Sequence, residues 1–177
     1  MQKLKVTDVL AEAFKAEGVD TMFALMGDAN MYWAAKMADV YGVRVIHARH
    51  EHCACAMADG YARATGKVGV ATTTCGPGFT QIMTALTIAA RGNVPMVVFA
   101  GDSPIGAAWY LQQIDMAPLT LATGAHFVAV KSIDRLLDNV REAFQVAQVE
   151  RRPVVLSVPM DLQAQDYPYM ADYTPSA

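Results

Sequence analysis

Glu51 is a carboxylate placed where it could do chemistry, between a short apolar segment, residues 43–47, and a segment of helical pattern, residues 52–65. A carboxylate at the start of a helix is stabilised by the helix dipole, which explains Glu51 as an ordinary first-turn acid. A carboxyl group at the end of a strand can instead exchange a proton with a ligand. The surrounding residues decide between these two interpretations.

Turns rich in glycine or polar residues follow other apolar segments. A Gly-Pro-Gly turn at residues 76–78 follows residues 68–73; glycine lets the backbone approach a ligand there, and proline fixes the turn. Neither the dinucleotide glycine pattern nor the Gly-Lys-Ser/Thr phosphate loop occurs. Asp102 and Ser103 follow another apolar segment, where they either contact a ligand or cap a turn.

Histidines and cysteines near Glu51 suggest a metal site at first sight: His47, His50, His52, Cys53 and Cys55. Side chains two positions apart on a helix point to nearly opposite sides, and neither a Cys-x-x-Cys pair nor a His-Glu-x-x-His motif is present. We therefore predict local packing and no metal ligands. Cys75 has no visible histidine–acid partner and is predicted to be a small buried thiol rather than a nucleophile.

The composition is that of one folded domain. The chain has 177 residues, of which 54% are hydrophobic and 18% charged, so it can bury a substantial core. With a net charge of −3 and no basic run, a nucleic-acid partner is not expected. Neither a signal peptide nor a membrane span is expected, and three cysteines do not suggest a disulfide framework, so we predict a reduced, cytoplasmic protein.

Apolar runs alternate six times with helical patterns. The predicted strands cover residues 21–25, 43–47, 68–73, 95–100, 127–130 and 154–158, and the predicted helices cover residues 7–17, 31–40, 52–65, 80–90, 115–122 and 132–150. Continuous apolar strands that alternate with helices indicate an α/β fold in which a parallel sheet, roughly six-stranded, carries helices on both faces. Ligands bind such sheets at the carboxyl ends of the strands, which is where Glu51 and the turns lie.

Several motifs occur in a fixed order: residues 6–10, 23–29, 49–51 (Arg-His-Glu), 60–66 (Gly-Tyr-Ala-Arg-Ala-Thr-Gly), 74–80, 94–102, 111–113 and 153–161. In this order and at these spacings they resemble the N-terminal pyrimidine-binding (PYR) domain of thiamin diphosphate enzymes, especially the acetolactate synthase-like branch. The resemblance covers about residues 4–161. It implies a three-layer α/β/α sandwich, the thiamin diphosphate-binding fold.

The resemblance also implies roles for single residues in the decarboxylation of a 2-oxo acid, or in its joining to an acceptor. Glu51 would hydrogen-bond N1′ of the aminopyrimidine ring, for which a buried carboxyl group is suited, and Gln112 would face the reacting end of the cofactor. The other implied cofactor contacts are Gly27, Asp28, Ala29, Thr74, Gly76, Pro77, Gly78 and Gln81. Relatives usually carry Gly-Gly at Gly27-Asp28 and asparagine at Gln81, which leaves the substrate open.

In this family a second domain holds the diphosphate and Mg²⁺ through a Gly-Asp-Gly…Asn pattern, and that pattern does not occur in this sequence. We therefore expect a diphosphate-binding domain or subunit in trans, either in a longer enzyme or in a split decarboxylase of the sulfopyruvate type; a non-catalytic binding domain is the third alternative. The resemblance implies that two such domains pair face to face, and the small residues at 54–62 would allow close packing there, so we expect a homodimer through PYR domains. Residues 1–161 are predicted to form the domain, and residues 162–177 an exposed tail or linker.

Overall fold

The computed structural model describes residues 4–168 and 173–176. Its strands are β1 (Thr21–Ala24), β2 (Arg44–His47), β3 (Gly69–Thr73), β4 (Met96–Asp102), β5 (His126–Ala129) and β6 (Pro153–Pro159). They form one six-stranded sheet in the order β2-β1-β3-β4-β6-β5, and every neighbouring pair is parallel. This confirms the prediction of a parallel sheet of roughly six strands.

Helices cover both faces of the sheet. They are α1 (Val6–Ala16), α2 (Met31–Asp39), α3 (Glu51–Thr65), α4 (Pro77–Thr80), α5 (Met83–Arg91), α6 (Met116–Ala122), α7 (Leu136–Val149), which a 3-10 turn (Ile133–Arg135) precedes, and α8 (Met160–Gln163). Helices α1, α2, α7 and α8 cover one face, and α3, α5 and α6 cover the other. The fold is therefore the predicted three-layer α/β/α sandwich. Among the described residues, no helix is both long and apolar enough to cross a membrane.

An aromatic cluster fills the layer beneath α1, α2 and α7. The rings of Trp33 and Phe99 stack with their centroids 4.0 Å apart. Phe14 meets Trp33 and Phe144 edge-on, at 4.9 and 5.0 Å. All four side chains are fully buried. Aromatic contacts of these two geometries stabilise a core beyond the area that they bury, so this cluster anchors α1 to the sheet.

Helix α3 packs closely on its own sheet. Ala54, Ala58 and Ala62 are buried, and a Cβ atom added to Gly69 would lie 2.1 Å from the backbone oxygen of Ala58. These alanines therefore pack inside the domain and are not available for contact with a second copy. A homodimer would have to use other small residues of α3. The small residues of α3 that stay exposed lie on its opposite side and are Cys53, Ala56, Gly60 and Ala64.

The helix predicted over residues 80–90 is confirmed as α5, Met83–Arg91, but it begins three residues later than predicted because a separate short helix precedes it. Pro77 begins the short helix α4 directly after Gly76, and the chain bends before α5 begins at Met83. Proline suits the first position of a helix because the N–H group that it lacks would have no partner there. The turn of residues 76–78 is therefore continuous with a helix rather than separated from it.

The tail predicted to be exposed is partly packed against the domain. Its packed residues are Leu162, Gln163, Tyr167, Tyr173 and Ser176. Glu17, at the end of α1, accepts hydrogen bonds from the last two of these. The prediction of exposure is therefore wrong for these residues, whereas residues 169–172 and 177 lie outside the described part. The role of residues 162–177 as a linker stays a prediction.

Candidate functional site

The predicted site residues gather at one edge of the sheet. The carboxyl ends of β1, β2, β3 and β4 lead into residues 27–30, 49–51, 74–78 and 103–115. These four strands are neighbours in the order β2-β1-β3-β4, so the segments that follow them lie side by side. The site is therefore assembled from four stretches that are far apart in the sequence.

Glu51 is the first residue of α3 and is partly buried. The preceding His50 caps the helix, since its Nδ1 atom accepts a hydrogen bond of 3.2 Å from the backbone N–H of His52. The Glu51 carboxylate faces the Gly-Pro-Gly turn: a Cβ atom added to Gly78 would lie 3.1 Å from Glu51 Oε1 and 2.9 Å from Thr74 Cγ2. Glycine at position 78 thus leaves the space in front of the carboxylate open.

Gln112 lies against the same turn. Gly76 has a φ of +58°, and a Cβ atom there would lie 2.2 Å from the backbone oxygen of Gln112, so both conformation and space require glycine. Oε1 of Gln112 accepts a hydrogen bond of 3.3 Å from Cys75 Sγ. The two predicted catalytic residues, Glu51 and Gln112, are therefore both adjacent to the turn of residues 76–78.

The turn after β1 joins the site through Thr74. Its Oγ1 donates to Asp28 Oδ1 at 3.2 Å and accepts from the backbone N–H of Ala29 at 3.4 Å. Gly27 passes so close that an added Cβ atom would lie 2.8 Å from Thr74 Cβ. Asp28 Oδ2 accepts a hydrogen bond of 2.8 Å from the Tyr110 hydroxyl group. Sequence reasoning missed Tyr110, which belongs to an irregular loop 82 residues away.

A second contact that sequence reasoning missed comes from the end of the domain. The Nε2 group of buried Gln163 donates to the backbone oxygens of Ala29, at 2.8 Å, and Val158, at 2.9 Å. Ala29 also touches β4, because a Cβ atom added to Gly101 would lie 2.2 Å from its oxygen. The turn after β1 is thus fixed both to β4 and to the C-terminal segment. No periodic pattern marks Gln163 in the sequence.

Two predicted cofactor contacts are exposed to solvent. Pro77 is exposed at the start of α4, and Gln81 is exposed just after its end. Within the described part of the chain, the Gln81 side chain makes no hydrogen bond. Asp102 is engaged within the fold, where it accepts hydrogen bonds from Ser157 Oγ at 2.6 Å and from the backbone N–H of Ser103 at 2.7 Å. Its carboxylate therefore caps the turn after β4.

The cysteines lie where the helical pattern predicts. Cys53 is exposed and Cys55 is buried on the other side of α3, while Cys75 is buried, which confirms the prediction made for it. Burial, together with the charge of Glu51, raises the pKa of the Cys55 thiol, and burial raises the pKa of the Cys75 thiol. Both thiols are therefore protonated and poor nucleophiles at neutral pH. In residues 4–168 and 173–176, no three His, Cys, Asp or Glu side chains are grouped to hold a metal ion.

Acetolactate synthases from several organisms are similar to this chain. The large subunit from Haemophilus influenzae is 32% identical over 176 residues, which are 98% of this chain and 31% of that protein. The isozyme 2 large subunit from Escherichia coli K12 is 38% identical over 157 residues, which are 87% of this chain and 28% of that protein. The chloroplastic enzyme from Arabidopsis thaliana is 33% identical over 168 residues, which are 93% of this chain and 25% of that protein.

The chain thus spans less than a third of the length of these curated relatives. A family model described as "Thiamine pyrophosphate enzyme, N-terminal TPP binding domain" matches residues 4–119. The match covers more than half of the chain and contains the four segments that meet at the sheet edge. The chain therefore belongs to the thiamine pyrophosphate enzyme family and corresponds to its N-terminal TPP binding domain.

Proposed function

We propose that the chain forms the aminopyrimidine side of a thiamin diphosphate site in an enzyme that decarboxylates a 2-oxo acid or joins it to an acceptor. The observation that carries this proposal is the position of Glu51 Oε1, 3.1 Å from where a Cβ atom of residue 78 would lie. A carboxyl group beside an open glycine turn suits a flat ring that needs a hydrogen-bond partner at one nitrogen. Similarity to acetolactate synthase large subunits supports the same class of reaction.

Two features of the site fit the cofactor's ring. The first is the glycine turn itself, where side chains at Gly76 or Gly78 would collide with the neighbouring Gln112 and Thr74. The second is the hydroxyl group of Thr73, at the end of β3, which is buried and has no hydrogen-bond partner among the described residues. Buried polar groups are normally paired, so an unpaired one beside an open turn is typical of a ligand site.

Each residue around the turn would have a separate role in the reaction. Thiamin diphosphate, when bound, supplies an electron sink for decarboxylation. Glu51 holds a proton at ring nitrogen N1′ from its place in the first turn of α3. Gln112 faces the reacting end of the cofactor and orients it through its amide group. Thr74 holds the Asp28 turn beside the ring, so that the wall of the site keeps its shape.

We further propose that a diphosphate-binding domain, in trans or in a longer chain, holds the diphosphate and Mg²⁺. Large apolar side chains near the carboxyl edge of the sheet are 38% to 80% exposed, and they are Met26, Met31, Ile105, Trp109 and Leu111. They belong to the segments that follow β1 and β4 at the same sheet edge, and exposed apolar groups along one edge suit an interaction surface. The mass of the natural protein separates the alternatives: a mass near 19.1 kDa favours a split decarboxylase of the sulfopyruvate type, and a larger mass favours a single-chain enzyme.

We also propose that two such domains pair through the exposed face of α3. Ala56, Gly60 and Ala64 on this face are small, and a Cβ atom added to Gly60 would meet no atom within 4 Å. Small side chains allow two helices to approach closely. Sedimentation of the wild type and of Ala56→Arg tests this pairing: a wild-type dimer that the arginine dissociates supports it, and a wild-type monomer contradicts it.

The central test replaces Glu51 by glutamine, which keeps the size of the side chain but cannot hold the proton. The full-length enzyme, or the chain combined with its diphosphate-binding domain, is assayed for CO₂ release from a panel of 2-oxo acids. We expect kcat/KM to fall by at least about 100-fold, as for loss of an acid–base group. Binding of thiamin diphosphate, followed by the rise in Tm that it causes, gives a readout besides activity.

Glu12→Gln is the matched control, because Glu12 is exposed on α1 and is part of no proposed site. It should leave both activity and cofactor binding unchanged. Full activity in Glu51→Gln would refute the proposed role of Glu51. If the wild type binds no thiamin diphosphate even with the second domain present, the non-catalytic alternative is favoured instead.

A further inference from the structure

Tyr110 connects two segments that the sequence keeps far apart. It lies in the irregular loop between β4 and α6, and its hydroxyl group donates a hydrogen bond of 2.8 Å to Asp28 Oδ2 in the turn after β1. The same carboxylate receives a second hydrogen bond at its other oxygen, from Thr74 Oγ1 at 3.2 Å. Asp28 is thus fixed between β3 and the loop.

Tyr110 and Gln112 belong to one tight turn. The backbone N–H of Gln113 donates to the backbone oxygen of Tyr110 at 3.0 Å, which closes a turn that contains Gln112. The far side of this turn touches Gly76, whose hypothetical Cβ atom lies 2.2 Å from the Gln112 oxygen, and Cys75, which donates to Gln112 Oε1 at 3.3 Å. A displacement of Tyr110 would therefore move Gln112 relative to the glycine turn.

The other anchors of this loop lie towards its two ends, where the backbone N–H of Gly106 donates to Asp161 Oδ2 at 3.0 Å and Ile114 packs against the core. The neighbours of Tyr110 in the chain, Trp109 and Leu111, are 74% and 80% exposed, so apolar packing contributes little to the position of this turn. We propose that Tyr110 is a positioning residue of the site: by its hydrogen bond to Asp28 it holds the turn that carries Gln112 against Gly76. This inference rests on the proposed function, since it assigns Gln112 to the reacting end of the cofactor.

The Tyr110 hydroxyl group can donate this hydrogen bond throughout the neutral pH range. Its hydrogen bond to Asp28 raises the pKa of Tyr110 to about 12, with burial adding to the effect. The hydroxyl group therefore keeps its proton and remains a donor throughout the neutral range. Tyr110→Phe would keep the aromatic ring but remove the hydrogen bond to Asp28.

The test compares Tyr110→Phe with Tyr61→Phe in the assembled enzyme. Tyr61 donates a hydrogen bond of the same kind, 2.7 Å long, to Asp20 at the opposite edge of the sheet, so it controls for the loss of any tyrosine–aspartate pair. Hydrogen–deuterium exchange of residues 103–115 should become about 2- to 12-fold faster in Tyr110→Phe, as expected for one lost hydrogen bond. In Tyr61→Phe it should not change.

Activity gives a second readout. Tyr110→Phe should lower kcat by about 5- to 100-fold, because a misplacement near 1 Å has effects of that order, while affinity for thiamin diphosphate and Tm stay close to those of Tyr61→Phe. A merely structural role would lower Tm and leave kcat unchanged. Wild-type exchange in residues 103–115 of Tyr110→Phe would overturn the positioning role, whatever Glu51→Gln does.

Variants of Asp28 make the test specific. In Asp28→Asn the amide oxygen can still accept from Tyr110 and the amide nitrogen can donate to Thr74, so exchange of residues 103–115 should remain slow. Asp28→Ala should speed up exchange of residues 103–115 as Tyr110→Phe does. Exchange in the double variant Asp28→Ala/Tyr110→Phe should be no faster than in either single variant. Additive effects would show that Tyr110 acts through another contact and would contradict the proposal. An active Glu51→Gln enzyme would refute the proposed function alone, since the exchange results do not depend on it.

Discussion

Replacing Gly76 by alanine should both distort the site and destabilise the domain. Gly76 has a φ of +58° and a ψ of −119°, a conformation that costs a residue with a side chain about 1–3 kcal/mol. The new Cβ atom would lie 2.2 Å from the backbone oxygen of Gln112. Carbon and oxygen atoms normally stay about 3.3 Å apart, so the Gln112 segment would have to retreat by about 1 Å. Overpacking of this kind adds about 1–3 kcal/mol.

The two contributions sum to a loss of about 2–6 kcal/mol in the free energy of unfolding. In a domain of this size each kcal/mol lowers Tm by about 2–4 °C, so Tm should fall by roughly 4–24 °C. Thermal unfolding followed by circular dichroism measures the change. Urea unfolding with an unchanged m-value would show that the native state, rather than the unfolded state, is affected.

Gly106→Ala is the matched control for this experiment. Gly106 belongs to the same loop as Gln112, but a Cβ atom added to it would meet only Asp161 Oδ2, at an ordinary 3.6 Å. Its effect on the free energy of unfolding should stay within about 0.5 kcal/mol. If Gly76→Ala proves as stable as Gly106→Ala, the Gln112 segment does not lie against the glycine turn and the geometry of the site is wrong.

Two further predictions concern the rest of the domain. Phe14→Ala should cost about 3–5 kcal/mol in urea unfolding, because it empties the centre of the aromatic cluster; a loss under about 1 kcal/mol would mean that the cluster is not the anchor of α1. Hydrogen bonds from Lys67 and Tyr61 lower the pKa of Asp20 to about 2, so this carboxylate stabilises the fold above about pH 4 and the contribution is lost as the pH falls towards 2. Asp20→Asn should therefore reduce the loss in free energy of unfolding between about pH 4 and pH 2. The reduction should be less than about 1 kcal/mol because the Asp20–Lys67 pair is half-exposed. An unchanged loss over this pH range would contradict the assignment.

Much of the fold was predictable because buried parallel strands leave a strong mark on a sequence. The continuous apolar runs at residues 95–100 and 154–158 became β4 and β6, the two neighbouring strands with the most extensive pairing. Glycine at position 18, with a φ of +86°, ends the first helix region as such residues commonly do. The start of the helix predicted over residues 80–90 was misplaced by three residues, because apolar spacing alone does not reveal the break between α4 and α5.

The site was only partly predictable from sequence. The proximity of Glu51 to the glycine turn could be predicted because each follows a strand of a parallel sheet, whereas the role of both in binding a cofactor stays a prediction. The bonds of Tyr110 and Gln163 were not found, because both residues lie outside periodic segments and reach partners 82 and 134 positions away. Contacts of that range depend on how loops close over a finished sheet, which local pattern does not encode.

The bond between Gln163 and Ala29 has a consequence for how the protein is made. A ribosome adds about 5–20 residues per second, so the turn at Ala29 emerges roughly 7–27 s before its partner at Gln163 has been synthesised. During that interval the turn lacks one of the contacts that fix it, although the residues of β1 have already been synthesised. The sheet edge that carries the candidate site is therefore among the last parts of the domain to reach its final shape.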